Sequence, residues 1–181
     1  MTNDSPESPG ITYQASLPLS WRKEPAPSVS MLTAWRYSNI SLLRGLATLE
    51  AAPMDRDHEA DTHLAKALER LENKLDIALT MLAHVTMRNI EMPAPQPVSL
   101  GARNVGWLSD QSLPASGDHV LISLYLSPRL PEPLQLHARI ISSAGGRCVA
   151  ALMDEDPEFE EWMTRTLFRY HRRGLQARHQ E

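Results

Sequence analysis

The residue types that most often do chemistry occur in this chain as small, separate groups. His58 and His63 stand five apart on a predicted helix, a spacing that puts them on different faces. His58-Glu59 lacks the second histidine of a metalloprotease H-E-x-x-H, so both histidines read as solvated helix residues. Glu155, Asp156, Glu158, Glu160 and Glu161 supply oxygen ligands of the kind a divalent cation takes. Their spacing marks a helix start and its exposed face rather than a converging set. Arg165, Arg169 and Arg173 repeat an R-x-x-x-R step that could grip phosphate. Near the end of a helix, the same residues complement its negative pole, and that reading is preferred. Cys148 sits in an apolar strand segment with no histidine nearby in sequence, which favours a structural thiol over a nucleophile. Ala144-Gly145-Gly146 is too short to cradle a phosphate and reads as a hairpin turn. No acid/base pair, nucleophile or metal set stands at a usable spacing, so neither an enzyme nor a bound cofactor or metal is expected.

Composition narrows the classes further. The 181 residues include 42% hydrophobic ones, enough for a real core, and permit one domain plus an appendage or two small modules. The formal net charge is −4, without the basic surplus that DNA or RNA binding requires. Apolar runs fall far short of the ~20 residues of a membrane span. Met1 to Gly10 has no charged-then-apolar signal pattern, and a single cysteine rules out an intrachain disulfide framework. A soluble, cytoplasmic protein is expected.

The elements that must position these residues divide the chain. Residues 1–27, with Pro6, Pro9, Pro18, Pro25 and Pro27, read as a mostly disordered tail. Residues 28–92 read as a helical hairpin. Its first helix is capped by Ser28 or Ser30 and carries Leu32, Trp35, Asn39, Leu42, Leu46 and Leu49 at steps of three and four. Ala51 to Arg56, with Pro53, breaks it, and Asp55 or Asp57 caps the second helix. A short break favours an antiparallel hairpin.

In that second helix Leu64, Leu68, Leu71, Leu75, Ala78, Leu82, Val85 and Asn89 alternate steps of four and three. This 3.5-residue period is that of a coiled-coil seam. Leu68, Leu75 and Leu82 fall at a, and Leu64, Leu71, Ala78 and Val85 at d. Leucine rather than a β-branched residue at a, together with apolar neighbours such as Leu79 and Met81, favours a four-helix core. Asn89 could fix its register. The expected partner is the chain itself, as a homo-oligomer, most simply a tetramer.

Pro93, Pro95 and Pro97 make residues 93–97 a stiff connector. Beyond it the period changes to two. Strands are expected at Val98 to Leu100, Val105 to Leu108, His119 to Leu126, Leu134 to Ile140 and Arg147 to Met153, with turns at Ser116-Gly117-Asp118 and Ala144-Gly145-Gly146. A last helix starts near Asp156 and Pro157 and stops at Gly174. Its face Phe159, Trp162, Met163, Thr166 and Tyr170 would close one end of a small barrel. Trp107 either fills the barrel mouth or faces a partner. Residues 98–174 thus form an antiparallel β-barrel with a closing helix, residues 175–181 a tail, and the whole an α+β fold.

This order of elements, with the segment Val98-Ser-Leu-Gly-Ala-Arg-Asn-Val-Gly-Trp-Leu-Ser-Asp110, resembles the PilZ domain family over about Pro97 to Arg173. The resemblance extends through the Gly-Asp turn before Val120 to Leu126, and through the acidic residues after Met153 to the basic end Phe168-Arg-Tyr-His-Arg-Arg173. It implies a bacterial cytoplasmic module related to cyclic di-GMP signalling. PilZ domains hold that nucleotide with an R-x-x-x-R motif before the barrel and a D/N-x-S-x-x-G turn on it. Here the turn positions are Ser99, Gly101 and Asn104, none of the expected type, and Asn89 to Pro97 contains no arginine. Each lost charge-assisted contact removes ~1.5–3 kcal/mol. The expectation is an atypical, non-catalytic PilZ-like module that self-assembles and engages an unidentified protein partner without binding cyclic di-GMP itself. The alternative is a nucleotide receptor with a non-standard site using Arg88, Arg103 or the last-helix arginines.

Overall fold

Period-two alternation builds six strands: β1 (Tyr13–Lys23), β2 (Pro95–Leu100), β3 (Asn104–Leu108), β4 (His119–Leu124), β5 (Leu134–Ala144) and β6 (Arg147–Leu152). The computed structural model describes residues 11–50, 62–89, 91–109 and 113–178, and within its helices leaves aside the side chains of 62–66, 69, 84, 87–89 and 174–178. Neighbouring strands pair antiparallel in the order β1-β2-β3-β6-β5-β4, and the ring closes. Closure removes the free edges that an open sheet of this size would expose. Gly145 and Gly146, both at positive φ, make the tight β5–β6 hairpin turn.

β1 corrects the irregular tail expected over 1–27. Tyr13, Ala15, Leu17, Leu19 and Trp21 alternate with polar residues, and their side of the strand faces inward. Only Pro18 of the five prolines falls inside the strand. It lies where β1 leaves β2, with Tyr13 to Pro18 opposite Leu100 to Pro95, and joins β4, with Leu19 to Lys23 opposite Leu124 to Val120. Pro18 faces Pro95, and its carbonyl accepts from the Tyr125 N–H at 3.0 Å. The connector expected at 93–97 is corrected likewise, because Pro95 and Pro97 belong to β2. They occupy the part that pairs with β1 alone, since β3 joins only from Val98 onward. A residue without an N–H is tolerated on such a one-sided stretch.

Three helices complete the fold: α1 (Val29–Leu49), α2 (Thr62–Asn89) and α3 (Pro157–Arg178). Ser28 caps α1, accepting from the Met31 N–H. α1 packs on β5 and α3. The expected α1–α2 hairpin is therefore not shown among the described residues, and the break at 51–56 with its caps lies outside them. Ile40, Leu42, Leu43 and Leu46 of α1 join the barrel core, as do Phe159, Met163, Leu167 and Tyr170 of α3. Asn39, expected on a seam, is buried instead. Its amide donates to the Gln135 carbonyl at 2.9 Å and its Oδ1 accepts from the Gln135 N–H at 3.0 Å. Gln135 pairs with Ser123 of β4 on one side but lies beyond the last β5–β6 pair on the other, where the asparagine takes the place of a strand neighbour.

α3 begins as expected. Asp156 Oδ1 accepts from the Glu158 and Phe159 N–H groups, which caps the helix, with Pro157 in its first turn. It does not stop at Gly174 but runs to Arg178. An interior glycine costs ~1 kcal/mol relative to alanine, too little to end a helix by itself. Glu50, at the end of α1, ties the two helices together. It accepts from the Tyr170 hydroxyl at 3.2 Å and pairs with Arg173 at 3.1 Å.

Candidate functional site

The β2–β3 turn carries the three positions at which the resemblance places a ligand motif. Gly101 N–H donates to the Asn104 carbonyl at 2.9 Å, so Gly101-Ala102-Arg103-Asn104 is a tight hairpin. A Cβ on Gly101 would come within 2.5 Å of Asn104 Oδ1, so the asparagine side chain fills the space beside Gly101. Ser99 lies in β2 opposite Gly106. Arg103, at the tip, is held by Glu160 of α3 at 2.7 Å. The hydrogen bond and the attraction raise the arginine's pKa, and the same bond lowers that of Glu160. The side chain of Arg88 lies outside the described residues.

The acidic cluster is distributed among arginines. Arg36 of α1 makes a two-pronged contact with Asp154, its Nη2 at 2.7 Å and its Nε at 3.1–3.2 Å, and reaches Asp156 at 3.1 Å. Glu158 pairs with Arg44, Glu160 with Arg103 and Glu161 with Arg165. The pairs of Arg36, Arg44 and Arg103 hold α3 and the segment before it against α1 and the β2–β3 turn, whereas Glu161–Arg165 is an i,i+4 pair within α3. Among the described residues no three His, Cys, Asp or Glu side chains converge as metal ligands. His58 and Glu59 lie outside the described residues, as does the side chain of His63. Cys148 is fully buried in β6, where desolvation pushes its thiol up to about 11, the behaviour of a structural residue. Trp107 is buried in the barrel interior, opposite Val98 and Cys148, which decides between its two readings.

α2 presents a different surface. Leu75 is 54% exposed, Met81 64% and Leu82 62%, and Leu68, Leu71, Ile77, Leu79 and Val85 are exposed as well. Ala78 is also exposed, whereas the side chains of Leu64 and Asn89 lie outside the described residues. From Leu75 to Val85 apolar residues take every position but those of the stripe Asp76, Thr80 and His84, a wider apolar face than a two-stranded seam uses. At ~1.5 Å per residue it is about 40 Å long.

Two features were not legible in the sequence. One is an aromatic stack: His137 of β5 is 4% exposed and lies parallel to Trp35 of α1, with ring centroids 4.2 Å apart. Its Nε2 is 3.4 Å from a Glu24 carboxylate oxygen, and neither ring nitrogen makes a hydrogen bond. Burial lowers its pKa, and the Glu24 carboxylate partly opposes this. The other is an open groove of 410 Å³ between α1 and α3, lined by Ala47, Trp162, Thr164, Arg165, Phe168 and Arg169. Of the last-helix arginines, Arg165 pairs with Glu161, Arg169 Nη2 donates to Thr166 Oγ1, and Arg173 is bound to Glu50. The signal available in sequence was Phe168, a large apolar residue outside the inward face of α3.

A closed six-stranded antiparallel barrel, with α1 inserted after its first strand and α3 after its last both packed into its core, defines a PilZ-type domain. The atypical PilZ domain family, described as a cyclic di-GMP receptor, matches residues 43–179, and the chain belongs to that family. Among solved structures, the chain is similar to a pathogenic protein from Xanthomonas campestris, described as a new tetrameric PilZ domain self-assembled via an unusual helical bundle. The match has a TM-score of 0.73 at 22% identity and covers 93% of this chain and 91% of that one. No curated protein matches the chain.

Proposed function

We propose that this protein is a non-catalytic PilZ module that assembles through α2 into a homotetramer and serves as an adaptor in cyclic di-GMP-related signalling. The observation that carries the reading is the exposed apolar length of α2, at heptad spacing and widened beyond the seam by Ile77, Leu79 and Met81. Burying each such side chain contributes ~1.5–3 kcal/mol, and a two-stranded contact would leave Ile77 or Leu79 wet, whereas a four-helix core covers both flanks. The helical-bundle tetramer described for the Xanthomonas campestris protein supports the same arrangement here. Several copies of one binding surface on a common stalk then engage a multivalent partner with avidity. No described helix is long and apolar enough to cross a membrane, in keeping with a module that works in the cytoplasm.

Nucleotide binding at the family's usual positions is not part of this reading. The turn positions are Ser99, Gly101 and Asn104, Asn104 fills the space beside Gly101, and Arg103 is already engaged by Glu160. The second reading, a cyclic di-GMP receptor with a non-standard site, draws on the family's description and on the arginines of α3. Two measurements test the pair. Light scattering at micromolar concentration returns a tetramer mass, and a monomer sinks the assembly. Calorimetry with cyclic di-GMP gives no binding heat, and saturable heat replaces the adaptor with the receptor.

A further inference from the structure

The lining of the α1–α3 groove includes no residue of the β2–β3 turn or of α2. Its lining is almost wholly apolar, and its two aromatic residues are of the kind that dominates protein interfaces. Phe168 is 55% exposed. Trp162 is held in place: the guanidinium carbons of Arg44 and Arg165 lie 5.4 and 5.3 Å from its ring. A tryptophan fixed in this way loses little freedom on binding, so it forms a preorganised anchor.

Charge identifies the occupant. The chain as a whole is acidic, at −4, yet the charged residues of the groove's lining are Arg165 and Arg169, with Arg44 over the Trp162 ring beside them, and the described carboxylates paired here are Glu158 with Arg44 and Glu161 with Arg165. The two glutamates sit toward the start of α3, and the rim around Phe168 is cationic. Both ion pairs at the rim are more than half exposed, and such pairs are weak enough to exchange partners. The walls are two helices packed together, and the space admits a few apolar side chains. A third helix laid along them would complete the packing.

We propose that the α1–α3 groove docks an acidic amphipathic helix of a partner protein, with apolar side chains against Trp162 and Phe168 and carboxylates on Arg165 and Arg169. The proposal rests on the adaptor reading but not on the assembly through α2.

The probe is a fluorescein-labelled synthetic peptide with Leu at i, i+3, i+4 and i+7 and Glu on the flanking positions, titrated with full-length protein and read by anisotropy. Two control peptides replace Glu by Lys or Leu by Ser. The acidic amphipathic peptide binds and both controls do not. Phe168→Ser and Arg165→Glu, both at exposed positions, each weaken binding about tenfold or more, as loss of an interface anchor does. Circular dichroism and the melting temperature establish that both variants fold. Leu75→Asp/Leu82→Asp leaves the affinity per protomer unchanged, which separates this groove from the α2 surface. Absence of binding at millimolar protein overturns the proposal. So does binding that the groove variants leave intact, binding that follows only the α2 variant, or tighter competition by guanosine nucleotides or anionic lipid vesicles than by unlabelled peptide.

Discussion

α1 and α2 are both read in sequence as helices with apolar residues at steps of three and four, yet the fold treats them in opposite ways. Leu43 of α1 is fully buried, and Leu42 and Leu46 are buried with it in the barrel core. On α2 the corresponding leucines lie open along much of the helix. The difference is not in apolar content. α1 also carries groups that only a barrel can satisfy: Asn39, which replaces a missing strand neighbour for Gln135, and Arg36, which reaches Asp154. A three–four stripe states that a helix buries one face, and the polar residues beside the stripe select what it is buried against.

The largest effect that would break this comparison is expected at α2. Leu75→Asp together with Leu82→Asp places charges in the proposed seam, and burying an uncompensated charge is costly enough to abolish assembly. Light scattering should then return the monomer mass while the thermal melt of the barrel stays in place. If the barrel unfolds with the assembly, α2 is part of the domain core and the contrast with α1 is lost. Next in size is Leu43→Ala on α1, which opens a cavity in the fully buried core. It should cost ~2–5 kcal/mol in urea unfolding, leaving the oligomer mass unchanged in native buffer.

Asn39→Ala sharpens the polar half of the argument. It leaves the Gln135 N–H and carbonyl without their partner and should cost ~1–3 kcal/mol, whereas an α2 surface substitution such as Thr80→Ala should stay within about 0.5 kcal/mol. The smallest effect concerns pH. Burial lowers the His137 pKa below its ordinary value of 6.5; Glu24 opposes the shift, while His119 and Arg22 add to it. A base whose folded pKa is depressed binds fewer protons folded than unfolded. The barrel is therefore at full stability above about 6.5 and loses stability as pH falls from there toward the folded value. Urea midpoints at pH 7.5 and 5.5 should show that loss, and His137→Phe, which keeps a ring against Trp35, should reduce it. An unchanged slope in the variant would show that His137 is not the group responsible.

Much of the barrel was legible because alternation, glycine turns and strand length are local properties. β3, β4, β5 and β6 appear within a few residues of expectation, and the α3 cap at Asp156 is where the Asp156-Pro157 pair puts it. β1 was missed although Tyr13, Ala15, Leu17, Leu19 and Trp21 alternate, because proline density outweighed alternation. Whether Pro18 breaks a strand depends on whether its neighbour needs an N–H, and that neighbour, Pro95, is 77 residues away.

By itself, the sequence determined the α+β class, most of the strands, the apolar heptad stripe of α2 and the missing arginine ahead of the barrel. Each follows from residue type or short-range spacing, which the chain carries wherever it goes. Only the tertiary structure decided that α1 belongs to the barrel, that the acidic cluster is distributed among Arg36, Arg44, Arg103 and Arg165, and that Trp162 and Phe168 open onto a groove. Arg36 and Asp154, like Arg44 and Glu158, are more than a hundred residues apart, and Arg103 and Glu160 are 57 apart, whereas Glu161–Arg165 is a local i,i+4 pair. Burial and the long-range charge pairs are properties of the assembled fold, which no local pattern specifies.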